Sequence, residues 1–107
     1  MSSISKTSSS SSNIVAVTNP VSYPYQVTAE DAFVVVNSTA PRTINLMNPA
    51  ATGFRVIIKD GSGLANANAI SIQGNGLTID SAPDYVIADT YGSVVLIFNG
   101  VEWNIIN

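Results

Sequence analysis

The sequence predicts an all-β domain: a small antiparallel β-sandwich or jelly-roll-like unit with a disordered Ser-rich N-terminal arm. Three observations predict it. Runs of β-forming residues recur at short spacing, with Gly, Asn and Pro between them. No window carries a helical apolar period with caps at its ends. Asn99-Gly100 stands between Val94-Val95-Leu96-Ile97-Phe98 and Val101-Glu102-Trp103-Asn104-Ile105-Ile106. Both turn residues tolerate the positive φ of a type I′ turn, so this is a strong hairpin signal.

Residues 1–18 read as the arm and 19–107 as the β domain. Ser8 to Ser12 is an unbroken serine run. Such a segment buries too little apolar area to offset the entropy of ordering it. Ile14-Val15-Ala16-Val17 has the residues to add a strand. Pro20 and Pro24 punctuate a linker over residues 18–25 and favour extended conformations before them.

The domain then reads strand by strand. Residues 25–27 lead to 32–36, where Phe33, Val34, Val35 and Val36 are all β-formers. Residues 37–42 turn at Pro41. Thr43-Ile44-Asn45-Leu46 alternates with period two and places Ile44 and Leu46 on one face. In residues 54–59, Phe54, Val56 and Ile58 share one side, while Arg55, Ile57 and Lys59 share the other. Asp60-Gly61-Ser62-Gly63 breaks that strand. Residues 69–72 and 77–79 are short strands around Gly74-Asn75-Gly76. Residues 85–87 pair briefly before the terminal hairpin.

Composition bounds the function. The chain has 107 residues and 46% hydrophobic residues, enough for one core, but only 10% charged residues. Ordinary soluble domains carry roughly 25%. Several strands are apolar on both faces, which points to an outer face covered by copies of the same chain. A monomer solvated by Asn, Ser and Thr is the alternative. The net charge is −3, and the four basic residues, Lys6, Arg42, Arg55 and Lys59, are scattered. Nucleic-acid binding through a basic patch is therefore not expected. Neither a membrane-spanning run nor the apolar core of a signal peptide is present.

The strand-and-turn rhythm resembles a small β domain of bacteriophage and other viral structural proteins, chiefly tail fibres, head fibres and spikes. The likeness runs over residues 25–107. It rests on Thr43-Ile44-Asn45-Leu46, Val56-Ile57-Ile58-Lys59-Asp60, Ala69-Ile70-Ser71-Ile72, Gly76-Leu77-Thr78-Ile79-Asp80, Tyr91-Gly92-Ser93-Val94 and Asn99-Gly100 with Trp103. Met47-Asn48-Pro49 and Ser81 depart from the usual pattern, both in turns. The resemblance implies a homotrimeric virion component, a fibre, spike or decoration protein, acting by assembly and by attachment to a host-surface glycan or protein. Val34, Val36, Ile57 and Val95 are the expected trimer interface. The arm is expected to hold a capsid or tail protein.

No catalytic residue, cofactor or metal is expected. Without His or Cys, a Ser-His-Asp system and thiolate or imidazole metal sites are absent. Asp80, Asp84 and Asp89 lie near one another in sequence but at turns, where Asp commonly bonds its own backbone. Asp60-Gly61-Ser62-Gly63 faintly resembles a calcium loop but lacks the further spaced carboxylates. The alternative function is carbohydrate binding through Tyr85, Tyr91 or Trp103, although Trp103 in a hairpin strand reads more strongly as a core or interface anchor.

Overall fold

The computed structural model describes residues 14–107. The part of the expected arm at residues 1–13 lies outside the described residues. Among the described residues there is no helix, and nine strands form two sheets. These are β1 (Val17–Thr18), β2 (Tyr25–Gln26), β3 (Phe33–Val36), β4 (Arg42–Asn45), β5 (Arg55–Asp60), β6 (Ile70–Gln73), β7 (Asp84–Ile87), β8 (Ser93–Phe98) and β9 (Trp103–Ile105). The all-β expectation holds. The expected strand at residues 77–79 does not form; Ile79 instead makes single bridges to Ala82 and Trp103.

The order is β1-β3-β5-β8-β9 in one sheet and β2-β4-β6-β7 in the other. Up to β6 the chain alternates between sheets, so each coil adds one strand to each. Neighbours laid down this way run parallel: β1 with β3, β3 with β5, β2 with β4 and β4 with β6. Only β7, β8 and β9 pair antiparallel. The sheets are therefore mixed, and the expectation of an antiparallel domain is corrected. Parallel neighbours need a crossover, usually a helix. Here a strand of the opposite sheet supplies it.

Both sheets feed one core. Val34, Val36, Ile44, Val56, Ile58, Ile70, Ile72, Val94 and Leu96 are fully buried, and all belong to one apolar cluster. Each such side chain contributes about 1.5–3 kcal/mol by leaving water. Trp103 is also fully buried. Its ring meets Phe98 at 5.4 Å and Phe54 edge-on at 6.1 Å, and its Nε1 donates to the Met47 carbonyl at 3.3 Å.

The first strand begins inside the segment assigned to the arm. Val17 and Thr18 pair with Phe33 and Val34. Thr18 Oγ1 also donates to Asp31 Oδ1 at 2.5 Å. Strand β1 therefore begins two residues before residue 19.

Candidate functional site

The five-stranded sheet turns an apolar row outward. Val17 lies beside Phe33, Phe33 beside Ile57, and Ile57 beside Val95. The Ile106 amide donates to the Val95 carbonyl at 3.0 Å, which extends the row past β8. Val17 is 54% exposed and Ile106 50% exposed, while the residues between them are half-buried by their neighbours. The residues that alternate with this row, Val34, Ile58 and Val94, point into the core.

Polar residues border the row on both sides. Val35, Lys59 and Ser93 form one flanking row, and Arg55, Ile97 and Asn104 form the other, so each border carries two polar residues and one apolar one. Lys59 Nζ is held by the Tyr91 carbonyl at 2.7 Å. An apolar patch inside a polar rim is the usual composition of a protein contact surface.

The outer face of the other sheet is different. One row reads Gln26, Asn45, Gln73, Asp84, each beside the next. The row next to it reads Thr43, Ser71, Val86. The two outer faces thus have opposite character, and only one of them gains by being covered.

Of the expected interface residues, Ile57 and Val95 stand on the apolar outer face, directly opposite each other across β5 and β8. Val34 and Val36 are corrected. Both are fully buried within the subunit, so neither offers surface to a neighbour. Phe33 and Val35, one residue out of phase, stand on the outer face instead. In Phe33-Val34-Val35-Val36 both phases are apolar, so the sequence carries no signal for which phase faces in.

The expected glycan contacts do not form one platform. Trp103 has no exposed surface, which removes it as a glycan contact and bears out its reading as a core anchor. Tyr85 pairs with Ile72 on the inner side of its sheet and packs against the core, half-buried. Tyr91 alone is well exposed, at 56%, in the turn before β8. Its backbone has φ 57°, and a Cβ on Gly63 would come within 2.6 Å of its ring. Lys59 Nζ lies 5.4 Å from the centroid of that ring.

Among the acidic residues, Asp60 is fully buried. Both its oxygens are occupied by donors from the protein. Oδ1 accepts from the Ser38 hydroxyl at 2.5 Å and from the amides of Ser62 and Gly63, and Oδ2 from the amides of Ala65 and Tyr91. Asp60 is therefore a structural hub that ties three loops together. The sequence held a signal for it: Asp60 continues the inward phase of Val56 and Ile58. Asp80 accepts from Asn104 Nδ2 at 3.0 Å and from the Ile105 amide at 3.4 Å, so it braces β9. Among the described residues, no three Asp or Glu side chains gather as a metal site would require.

No family model matches the chain, and no curated protein matches it.

Proposed function

We propose that this chain is a structural subunit of a bacteriophage particle, a fibre, spike or decoration component that assembles as a homotrimer. The observation that carries the assembly reading is the outward row Val17, Phe33, Ile57, Val95 and Ile106 inside its polar rim. The viral part of the reading rests on the resemblance of residues 25–107 to fibre and spike domains. The two sheets act as the layers of a sandwich whose apolar outer face meets the neighbouring subunits. Residues 1–13 serve as the link to a capsid or tail protein, and the protein works by binding, without turnover.

Three copies sharing one axis place three such faces together and remove them from water, worth about 25 cal/mol for each Å² of apolar surface covered. Light scattering coupled to size exclusion tests this directly. The chain mass is 11.2 kDa, and the expected particle has three times that mass. A stable, folded single chain at micromolar concentration rejects the trimer. Immunogold labelling of purified particles tests the viral part, and particles without label reject it. Deletion of residues 1–13 is expected to preserve the trimer and abolish incorporation into particles.

A further inference from the structure

The polar face of the four-stranded sheet carries a cleft that the assembly reading leaves unused. Its volume is about 400 Å³, and Asn45, Gln73, Thr78, Leu77 and Pro83 line it. That volume lies in the range of small-molecule sites. Asn45 and Gln73 pair across β4 and β6, so their outward side chains stand one strand spacing apart, about 4.8 Å.

Several other side-chain amides of the described residues are engaged within the protein. Gln26 Nε2 donates to the Val27 carbonyl, Asn75 Nδ2 to the Leu46 carbonyl, Asn68 Nδ2 to the Ser38 carbonyl and Asn104 Nδ2 to Asp80. The amides of Asn45 and Gln73 make no hydrogen bond to any described residue. Toward the described residues, the cleft therefore presents two unpartnered NH₂ groups and two unpartnered amide carbonyls at fixed spacing, beside a small apolar wall from Leu77 and Pro83.

We infer that this cleft binds a neutral saccharide. Each amide can both give and take a bond, which matches neighbouring ring hydroxyls, and the apolar wall suits the C–H face of a sugar ring. An anion is disfavoured. No Lys or Arg lines the cleft, and the carboxylate of Asp84 stands next in the row beside Gln73. A cation finds too few carboxylates there. An extended peptide finds no open sheet edge, because β4 lies between β2 and β6, and β6 between β4 and β7.

The inference does not depend on the trimer, since the cleft and the apolar row lie on different sheets. The test uses the full chain, labelled with ¹⁵N, and follows the side-chain NH₂ signals. The probes are the methyl glycosides of glucose, galactose and N-acetylglucosamine, together with maltose, lactose and cellobiose. At least one probe is expected to shift the Asn45 and Gln73 signals with millimolar affinity. The double variant Asn45→Ala, Gln73→Ala is expected to bind at least tenfold more weakly while keeping its near-ultraviolet spectrum and its mass in solution. Silence from all six probes overturns the inference, as does binding that survives in the double variant. A stronger response to a neutral tetrapeptide also overturns it. Retention of sugar binding in an Ile57→Lys monomer would separate this site from the assembly face.

Discussion

Ser38 donates its hydroxyl proton to Asp60 Oδ1 across 2.5 Å, and both residues are fully buried although 22 positions separate them. This bond joins the β3–β4 connection to the end of β5. The other donors to Asp60 come from the β5–β6 connection and from the turn before β8. Burial alone would push the carboxyl upward, but the Ser38 hydroxyl and the backbone amides outweigh it and hold the group at about 2, below its ordinary 3.8. The lowered value means that the ionised form stabilises the fold. That contribution is complete above pH 3.8 and is lost as the pH falls toward 2. Asp60→Asn turns one acceptor oxygen into a donor that faces backbone N–H groups. It is expected to cost about 3 kcal/mol, the scale for buried donors left without partners. Urea unfolding at pH 7 measures the cost. The acid loss of stability below pH 4 should be weaker in the variant.

Tyr25 offers the matching test at high pH. Its hydroxyl donates to Asp31 Oδ2 at 2.8 Å, and Asp31 also accepts from Thr18 Oγ1 and from the Thr28 amide. Burial, then the bond to Asp31 and its charge, push the phenol up from 10.0 to about 12, against a smaller opposing effect of Thr18. The neutral phenol is therefore the form that stabilises the fold. Its contribution is complete below pH 10 and is lost as the pH rises toward 12. Absorbance titration of phenolate is expected to show a late step that Tyr25→Phe removes. The same variant is expected to lose about 1–2 kcal/mol of stability, because Asp31 keeps its remaining donors.

Ile57 and Ile58 are neighbours in β5 with opposite roles. Ile57 is on the outer face beside Val95, and Ile58 is fully buried beside Val94. Ile57→Lys is expected to leave the fold of the single chain intact and to reduce the mass in solution to that of one subunit. Ile58→Ala is expected to cost about 2–5 kcal/mol, as for other large-to-small core changes. Light scattering and urea unfolding on the two variants separate these effects. A mass unchanged by Ile57→Lys would remove the apolar row from the assembly surface.

Much of the strand content was legible because a period of two survives in short runs. In Thr43-Ile44-Asn45-Leu46 and in residues 54–59 the grouping of residues by face was legible, since polar residues mark one phase, and the apolar groups are the buried ones. Phe33-Val34-Val35-Val36 did not, because both phases are apolar and only the packing of the second sheet decides between them. Parallel pairing was invisible for a different reason. Val17 lies beside Phe33 and Phe33 beside Ile57, so successive coils differ in length and leave no repeat in the sequence. Trp103 was legible as the anchor of a hairpin strand, but its edge-on contact with Phe54 was not, because that residue lies far away in sequence. The cleft was missed because Asn45 and Gln73 are distant in sequence and meet only through strand register.

The terminal hairpin forms as expected, but its turn does not. Phe98 pairs with Trp103, so residues 99–102 make a four-residue loop, and Gly100 has φ 100° while Asn99 stays out of the left-handed region. Asn99 builds the loop through its side chain. Its Oδ1 accepts from the amides of Val101 at 2.8 Å and Glu102 at 2.9 Å, and its Nδ2 donates to Asn104 Oδ1 at 2.7 Å. Asn99→Asp keeps the acceptor and loses the donor, so it should retain most of the stability. Asn99→Ala loses both and is expected to cost about 1 kcal/mol, since the exposed amides can turn to water. Gly100→Ala should cost at least about 1 kcal/mol, because a side chain there is strained at positive φ and its Cβ would meet Thr52 Oγ1 at 3.1 Å. Urea unfolding of the three variants should therefore rank Asn99→Asp as the most stable. If Asn99→Ala matches the parent chain, the loop is held by its backbone alone, and the Asn99 side chain has no part in closing the hairpin.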